Sequence, residues 1–131
     1  MIRSLHNADR PLLLLAYVDR AHAVRCGRFF RRLGWEVRLV ASAAEARRLL
    51  MTLIPRAIVL DTDLPDESGW LTCAKITRDD PARYVILLTE GRSPQPGPDL
   101  VSAGAAALVG RHDPTQVLAE TILGERLAEA I

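Results

Sequence analysis

The 131-residue chain predicts a doubly wound α/β sandwich, a parallel sheet covered on both faces by helices, and three observations carry that expectation. Five short apolar runs alternate with five segments of helical periodicity. The runs are continuously apolar rather than half-polar, as strands buried on both faces must be. A composition of 49% hydrophobic and 25% charged residues is that of one soluble globular domain, and the length leaves no room for a second.

Residues 1–11 are polar up to Pro11 and read as an N-terminal tail, with the domain proper at 12–131. Leu12–Val18 (LLLLAYV) is a strand-length apolar run. Its Arg-bearing approach and the following Ala21-His22-Ala23 imitate a secretory signal, but Asp9 and the Asp19-Arg20 interruption fit a buried strand better. Ala21–Leu33 then places Ala23, Cys26, Phe30 and Leu33 on one helix face, and Gly34 ends it. Trp35–Val40 alternates as a strand. Ser42 and Glu45 form a capping box that opens a helix expected to run through Leu49, Leu50 and Leu53 to Pro55.

Ala57–Leu60 is a third, fully apolar strand. The acid-rich stretch Asp61–Ser68 must be a loop, and Gly69 leads into a helix through Trp70, Cys73 and Ile76 that closes at Asp79-Asp80-Pro81. Tyr84–Leu88 is the fourth strand. Three prolines and two glycines in residues 91–98 restrict the next helix to Asp99–Ala103, before Gly104. Ala105–Val109 is the fifth strand, and Pro114 starts a final amphipathic helix through Val117, Leu118, Ile122, Leu127 and Ile131.

Charge and cysteine content exclude several functions. With 17 basic against 16 acidic residues the chain carries +1, so neither direct nucleic-acid binding nor membrane-surface attachment is expected, and no run is long enough to span a bilayer. Cys26 and Cys73 have no disulfide-framework or zinc-ligand spacing, which points to a reducing, cytoplasmic setting and to two small core residues. Lys75 is the single lysine. His22 and His112 form no metal-ligand pair and read as structural or solvent-exposed. The basic stripe Arg25, Arg28, Arg31 and Arg32 is compatible with an acidic partner, but is more simply a solvated helix face.

In a doubly wound sheet the functional crevice lies at the carboxyl ends of the strands. The polar residues there are Asp19 and Arg20 after the first strand, Asp61 and Asp63 after the third, Thr89 and Glu90 after the fourth, and Arg111 after the fifth. No glycine-rich phosphate loop and no Ser/His/Asp arrangement accompanies them, which disfavours a nucleotide-binding or hydrolytic enzyme.

The segment Ile58-Val-Leu-Asp61-Thr-Asp-Leu-Pro65-Asp-Glu-Ser-Gly69 resembles the phosphoacceptor strand and loop of response-regulator receiver domains. Val85-Ile-Leu-Leu-Thr89 is similar to the fourth strand of that family, and Ala103-Gly104-Ala105 to Val109 to its turn into strand five. The resemblance implies a flavodoxin-like (βα)5 fold with strand order 2-1-3-4-5. It also implies a phosphorelay function that is signalling rather than enzymatic. Asp61 would be the phosphoacceptor, Asp63 would lend its backbone carbonyl to a magnesium ion, and Thr89 would supply the hydroxyl that bonds the phosphoryl group. Asp19 would be a metal ligand, and Pro65 and Gly69 would shape the loop. The implied partners are a histidine kinase or phosphotransfer protein and a downstream protein or output domain; a homodimer is compatible with it.

The departures from the family pattern surround the same site. Where two adjacent acids usually follow strand one, this chain has Asp19 and Arg20, so the site loses a ligand, gains a positive charge, and should bind magnesium weakly. Either register of the first helix leaves one acid missing. The usual Lys-Pro after strand five is Arg111-His112, and Arg is not a conservative exchange for Lys. Glu90, long and negative, stands beside Thr89 where a small residue is usual. Two readings follow: Asp61 is still phosphorylated with Arg111 in place of the lysine, or Arg20 or Arg111 forms a standing ion pair with Asp61 and the domain is a phosphorylation-independent interaction module. An output module would need tens of residues beyond Ile131, so the chain also reads as a fragment of a longer regulator.

Overall fold

The computed structural model describes residues 10–90 and 97–130, with the backbone alone for 97–99 and 125–130. Five strands, β1 (Leu12–Ala16), β2 (Glu36–Val40), β3 (Ala57–Asp61), β4 (Val85–Thr89) and β5 (Ala107–Gly110), alternate with five helices. These are α1 (Arg20–Arg32), α2 (Ala43–Leu49), α3 (Gly69–Asp79), α4 (Gly97–Ala103) and α5 (Thr115–Ala130). All strand pairs are parallel, in the order β2-β1-β3-β4-β5. The switch in strand order therefore falls between β1 and β3, and β3 is the central strand.

Alternation along the strands divides the core into two layers. Leu13, Leu15, Val59, Ile86, Leu88 and Val109 pack under Cys26 and Phe30 of α1 and Leu118 and Ile122 of α5. Leu14, Ala16, Ile58, Leu60, Val85 and Leu87 face the other side, where Ala43 and Ala46 of α2, Cys73 and Ile76 of α3 and Ala103 of α4 cover them. A continuous apolar run is thus two interleaved faces, each with its own helices. The arginines Arg25, Arg28, Arg31 and Arg32 lie on the exposed side of α1.

Element ends differ from the expected ones where local bonding decides. The second helix stops at Leu49 instead of continuing toward Pro55. Met51 N–H donates to Arg48 O and Thr52 N–H to Leu49 O, each 3.1 Å, tightening the chain into a turn. The proline and the residue before it resist helix in any case. Helix α4 begins at Gly97, two residues before the expected start at Asp99, since Pro98 in a first turn forfeits only an N–H that has no helical partner. Strand β5 begins at Ala107, later than expected, because Ala105 N–H closes the end of α4 on Leu100 O at 3.1 Å. Gly34, at φ +93°, makes the left-handed stop after α1. Most of the expected tail, residues 91–96 of the proline-rich stretch and Ile131 lie outside the described residues.

Cys26 and Cys73 are unpaired and buried in opposite layers, and burial pushes both thiols up to about 12. The native protein is therefore expected to be inert to a disulfide exchange reagent at neutral pH, with both thiols reacting in denaturant. Rapid labelling of either cysteine without denaturant, read by intact mass, would contradict this packing.

Candidate functional site

Asp61 is the last residue of β3 and is completely buried. A charge in such a place must be answered by donors. Its Oδ1 accepts from Asp63 N–H at 3.0 Å and from Arg111 Nη2 at 2.6 Å, and its Oδ2 accepts from Val18 N–H at 3.2 Å. The loop after β3 therefore folds back over its own carboxylate, and the chain leaving β1 supplies the third donor.

Arg111 follows β5 directly, where its N–H continues the sheet by donating to Thr89 O at 2.6 Å. Its side chain is only 10% exposed. Besides Asp61, its Nη2 reaches Asp63 Oδ2 at 2.6 Å, and its Nη1 reaches Glu90 Oε1 at 2.9 Å. One guanidinium thus holds three carboxylates, the planar fork doing what a lysine point charge could not. Burial works against the charged form, but the hydrogen bonds that Arg111 donates to Asp63 and Asp61 outweigh it and hold the proton more firmly than usual. The Nε of Arg111 is buried without a hydrogen-bond partner, and is alone in this among the side chains of the described residues.

Tyr17 fixes the main chain of that arginine. It follows β1 immediately beyond the register pair Ala16↔Leu60, beside Asp61, and its hydroxyl donates to Arg111 O at 2.7 Å. The same hydroxyl lies 3.3 Å from His22 Nδ1, and the rings of His22 and His112 are 5.9 Å apart. Burial first, then the electrostatic influence of Cys26 and Asp61, push the Tyr17 phenol up to about 12 against the opposing charge of Arg111.

The other acids of the loop are committed elsewhere. Asp66 accepts from Ala43 N–H and Ala44 N–H, both at 2.9 Å, and these bonds to the first turn of α2 hold its carboxyl below the usual range. Glu67 pairs with Lys75 and accepts from Thr72 Oγ1 at 2.7 Å; the bond to Lys75 is the main cause of its lowered pKa. The only lysine is therefore engaged on α3, away from Asp61. Gly69 opens α3 so close to β3 that a Cβ there would collide with the Asp61 carbonyl oxygen, which explains the glycine on contact grounds.

The structure brings Asp61, Asp63 and Arg111 together and adds Glu90 to them. Thr89 ends β4 one residue beyond Leu88, the register partner of Asp61, and its described hydrogen bond is made by its carbonyl. Asp19 is the N-cap of α1, accepting from His22 N–H at 3.2 Å, a bond that holds its carboxyl below the usual range. Arg20 is exposed and joins no ion pair among those of the described residues; the partner of Asp61 is Arg111, not Arg20. Sequence reasoning missed Tyr17 and the Val18 N–H, since both looked like the end of an apolar strand. It read Glu90 only as a long, negative neighbour of Thr89; the structure shows that it also bonds the arginine. The alignment of strand ends was the signal that could have found them.

Magnesium requires several oxygen ligands in octahedral array. Among the described residues there is no group of three or more His, Cys, Asp or Glu side chains that could hold a metal ion. Both oxygens of Asp61 carry N–H donors, the side chain of Asp63 faces the guanidinium, leaving its backbone carbonyl as the implied ligand atom, and Asp19 caps a helix. In this arrangement these side chains already hold N–H donors, and Arg111 places a positive charge beside Asp61.

A model of the response regulator receiver domain family matches residues 18–122. Among curated proteins nothing matches the chain. A receiver domain protein described as CheY-like, from Methanospirillum hungatei JF-1, superposes with a TM-score of 0.82 at 23% identity, covering 92% of this chain and 95% of that one. The signal receiver domain of an HD domain-containing protein from Pseudomonas fluorescens Pf-5 gives 0.81 at 21% identity over 92% and 96%. The signal receiver domain of a signal transduction histidine kinase from Syntrophus aciditrophicus gives 0.78 at 23% over 92% of both. At such identities the superpositions speak for the fold alone.

Breaking a buried pair from one side should cost more than removing both partners. Arg111→Met is expected to lower stability by about 3–5 kcal/mol in urea titrations. The double variant Asp61→Asn/Arg111→Met should recover a good part of that loss, whereas purely additive effects would mean the pair is not coupled.

Proposed function

The chain belongs to the response regulator receiver domain family, and from that premise we propose that it works in two-component signalling as a protein-interaction module whose Asp61 stays paired with Arg111 instead of accepting a phosphoryl group. The observation that carries this reading is the single guanidinium shared by Asp61, Asp63 and Glu90 at 2.6, 2.6 and 2.9 Å.

The chemistry of phosphoryl acceptance explains why that matters. An attacking carboxylate oxygen must be exposed to an incoming phosphorus atom, and the added charge must be neutralised as the bond forms. Asp61 has no exposed surface, and each of its oxygens is already an acceptor. The approach passes the exposed carboxylates of Asp63 and Glu90, which repel an anionic donor. Receiver domains interact with histidine kinases and output domains; here such contacts would be read from a surface held in one state. Phosphorylation remains the second reading, favoured by Asp61 ending the central strand and by a guanidinium fork that can bind phosphoryl oxygens.

Incubation with magnesium and acetyl phosphate, followed by intact mass measurement, separates the two. The native chain is expected to show no adduct. A phosphoryl adduct that disappears in Asp61→Asn would overturn the proposal in favour of the second reading.

A further inference from the structure

At the end of the molecule opposite Asp61, the carboxyl ends of α2 and α3 enclose a groove of about 500 Å³. It lies there because helices that connect parallel strands run back toward the amino ends of the sheet. Its floor is aliphatic, built from Leu50, Met51 and Ile76. The early stop of α2 turns the chain outward at this point, leaving Met51 82% and nearby Ile54 95% exposed. Two large aliphatic side chains offered to water beside an apolar groove are a costly arrangement for a surface with no partner.

The rim is cationic. Arg47 and Arg48 come from the last turn of α2, and Arg83 from the loop before β4. Arg83 is held over the groove by its Nη2 bond to Leu50 O at 3.3 Å and by Asp80, 3.8 Å from its Nε. Asp79 is the one acid in the lining. Arg47 also feels Glu67, but that carboxylate is tied to Lys75. Three guanidiniums outnumber the two acids beside them, Asp79 and Asp80, and favour an anionic occupant, and the aliphatic floor requires that it carry apolar side chains as well. A nucleic acid would want aromatic platforms, which this floor lacks. A bilayer surface would want a broad face with aromatic anchors. Carboxylates alternating with aliphatic or aromatic groups are the chemistry of a protein segment.

We propose that the α2–α3 groove docks an acidic amphipathic peptide segment of a partner protein, its carboxylates on Arg47, Arg48 and Arg83 and its apolar side chains on Leu50, Met51 and Ile76. The proposal is independent of whether Asp61 is phosphorylated, because the groove and the aspartate occupy opposite ends of the sheet.

The test is a titration of the isotope-labelled full chain with a short blocked peptide in which glutamates flank a Leu-Phe pair, followed by amide shift mapping. Shifts are expected in α2, the turn after it and the end of α3. Replacing the glutamates by glutamine, or the protein's R47E/R48E substitution, should each weaken binding at least about tenfold. Met51→Ser/Ile54→Ser should weaken it as well, with the dispersion of the spectrum retained as evidence of an intact fold. No binding, equal binding of the glutamine peptide, or shifts on another face would overturn the proposal. So would equally tight binding of a single-stranded oligonucleotide of matched charge at the same residues.

Discussion

A carboxylate with no exposed surface has to be answered by donors, and in this chain that requirement organises one whole end of the sheet. Asp61 draws in the N–H of Asp63, the N–H of Val18 and the guanidinium of Arg111. Through those bonds the ends of β1, β3 and β5 are tied together, and β4 joins them through Thr89 O and Glu90. Tyr17 closes the arrangement from β1 by bonding the Arg111 carbonyl. The interaction contributes little net stability, since desolvating both charges offsets most of their attraction, and the orphaned Nε of Arg111 adds a cost of about 1–3 kcal/mol. Its effect is geometrical: it leaves the loop after β3 one way to lie.

The rest of that loop repeats the principle on a smaller scale. Asp66 satisfies the first turn of α2, while Glu67 holds Lys75 and Thr72 on α3. Four acids crowded into a short sequence are thus distributed among three structural duties, and each answers donors that would otherwise be unpaired. Gly69 lets α3 begin against the backbone of Asp61, so the helix runs from the buried ion pair at its start to the apolar groove at its end.

The fold was legible because it rests on periodicity. Continuous apolar runs such as Leu12–Ala16 and Ala57–Leu60 announce strands buried on both sides, and the Ser42–Glu45 cap is visible in four letters, with Glu45 N–H on Ser42 Oγ at 3.1 Å. The spacing of Asp61, Asp63 and Gly69 was equally readable, and so was the substitution of arginine for lysine at position 111. Pairing between strand ends was not. Tyr17 is apolar enough to pass as the last strand residue, and only the register of β1 against β3 puts it beside Asp61. Glu90 belongs to the site because the backbone of Arg111 continues the β4–β5 ladder, a tertiary fact with no local signature. Asp19 stands after a strand, where the resemblance implies a metal ligand, and the same place is where a helix needs a cap, which its Oδ1 supplies by accepting from His22 N–H.

The exchange of lysine for arginine also changes the electrostatic capacity of the site. A lysine ammonium is compact and mobile on its stem, able to move from one anion to another, whereas the Arg111 fork is already divided among three carboxylates. Those three carry three negative charges against one positive, tolerable because Asp63 and Glu90 remain largely in water, where solvent screens them. Converting Asp61 to an acyl phosphate would replace one negative charge by about two in the buried position, where screening is least. In the family pattern a divalent cation between carboxylates absorbs that increase. Here the fixed cation is single and its partners are already in excess. On the proposed reading, the ion pair that ties this end of the sheet together also leaves no second fixed cation there to offset further negative charge.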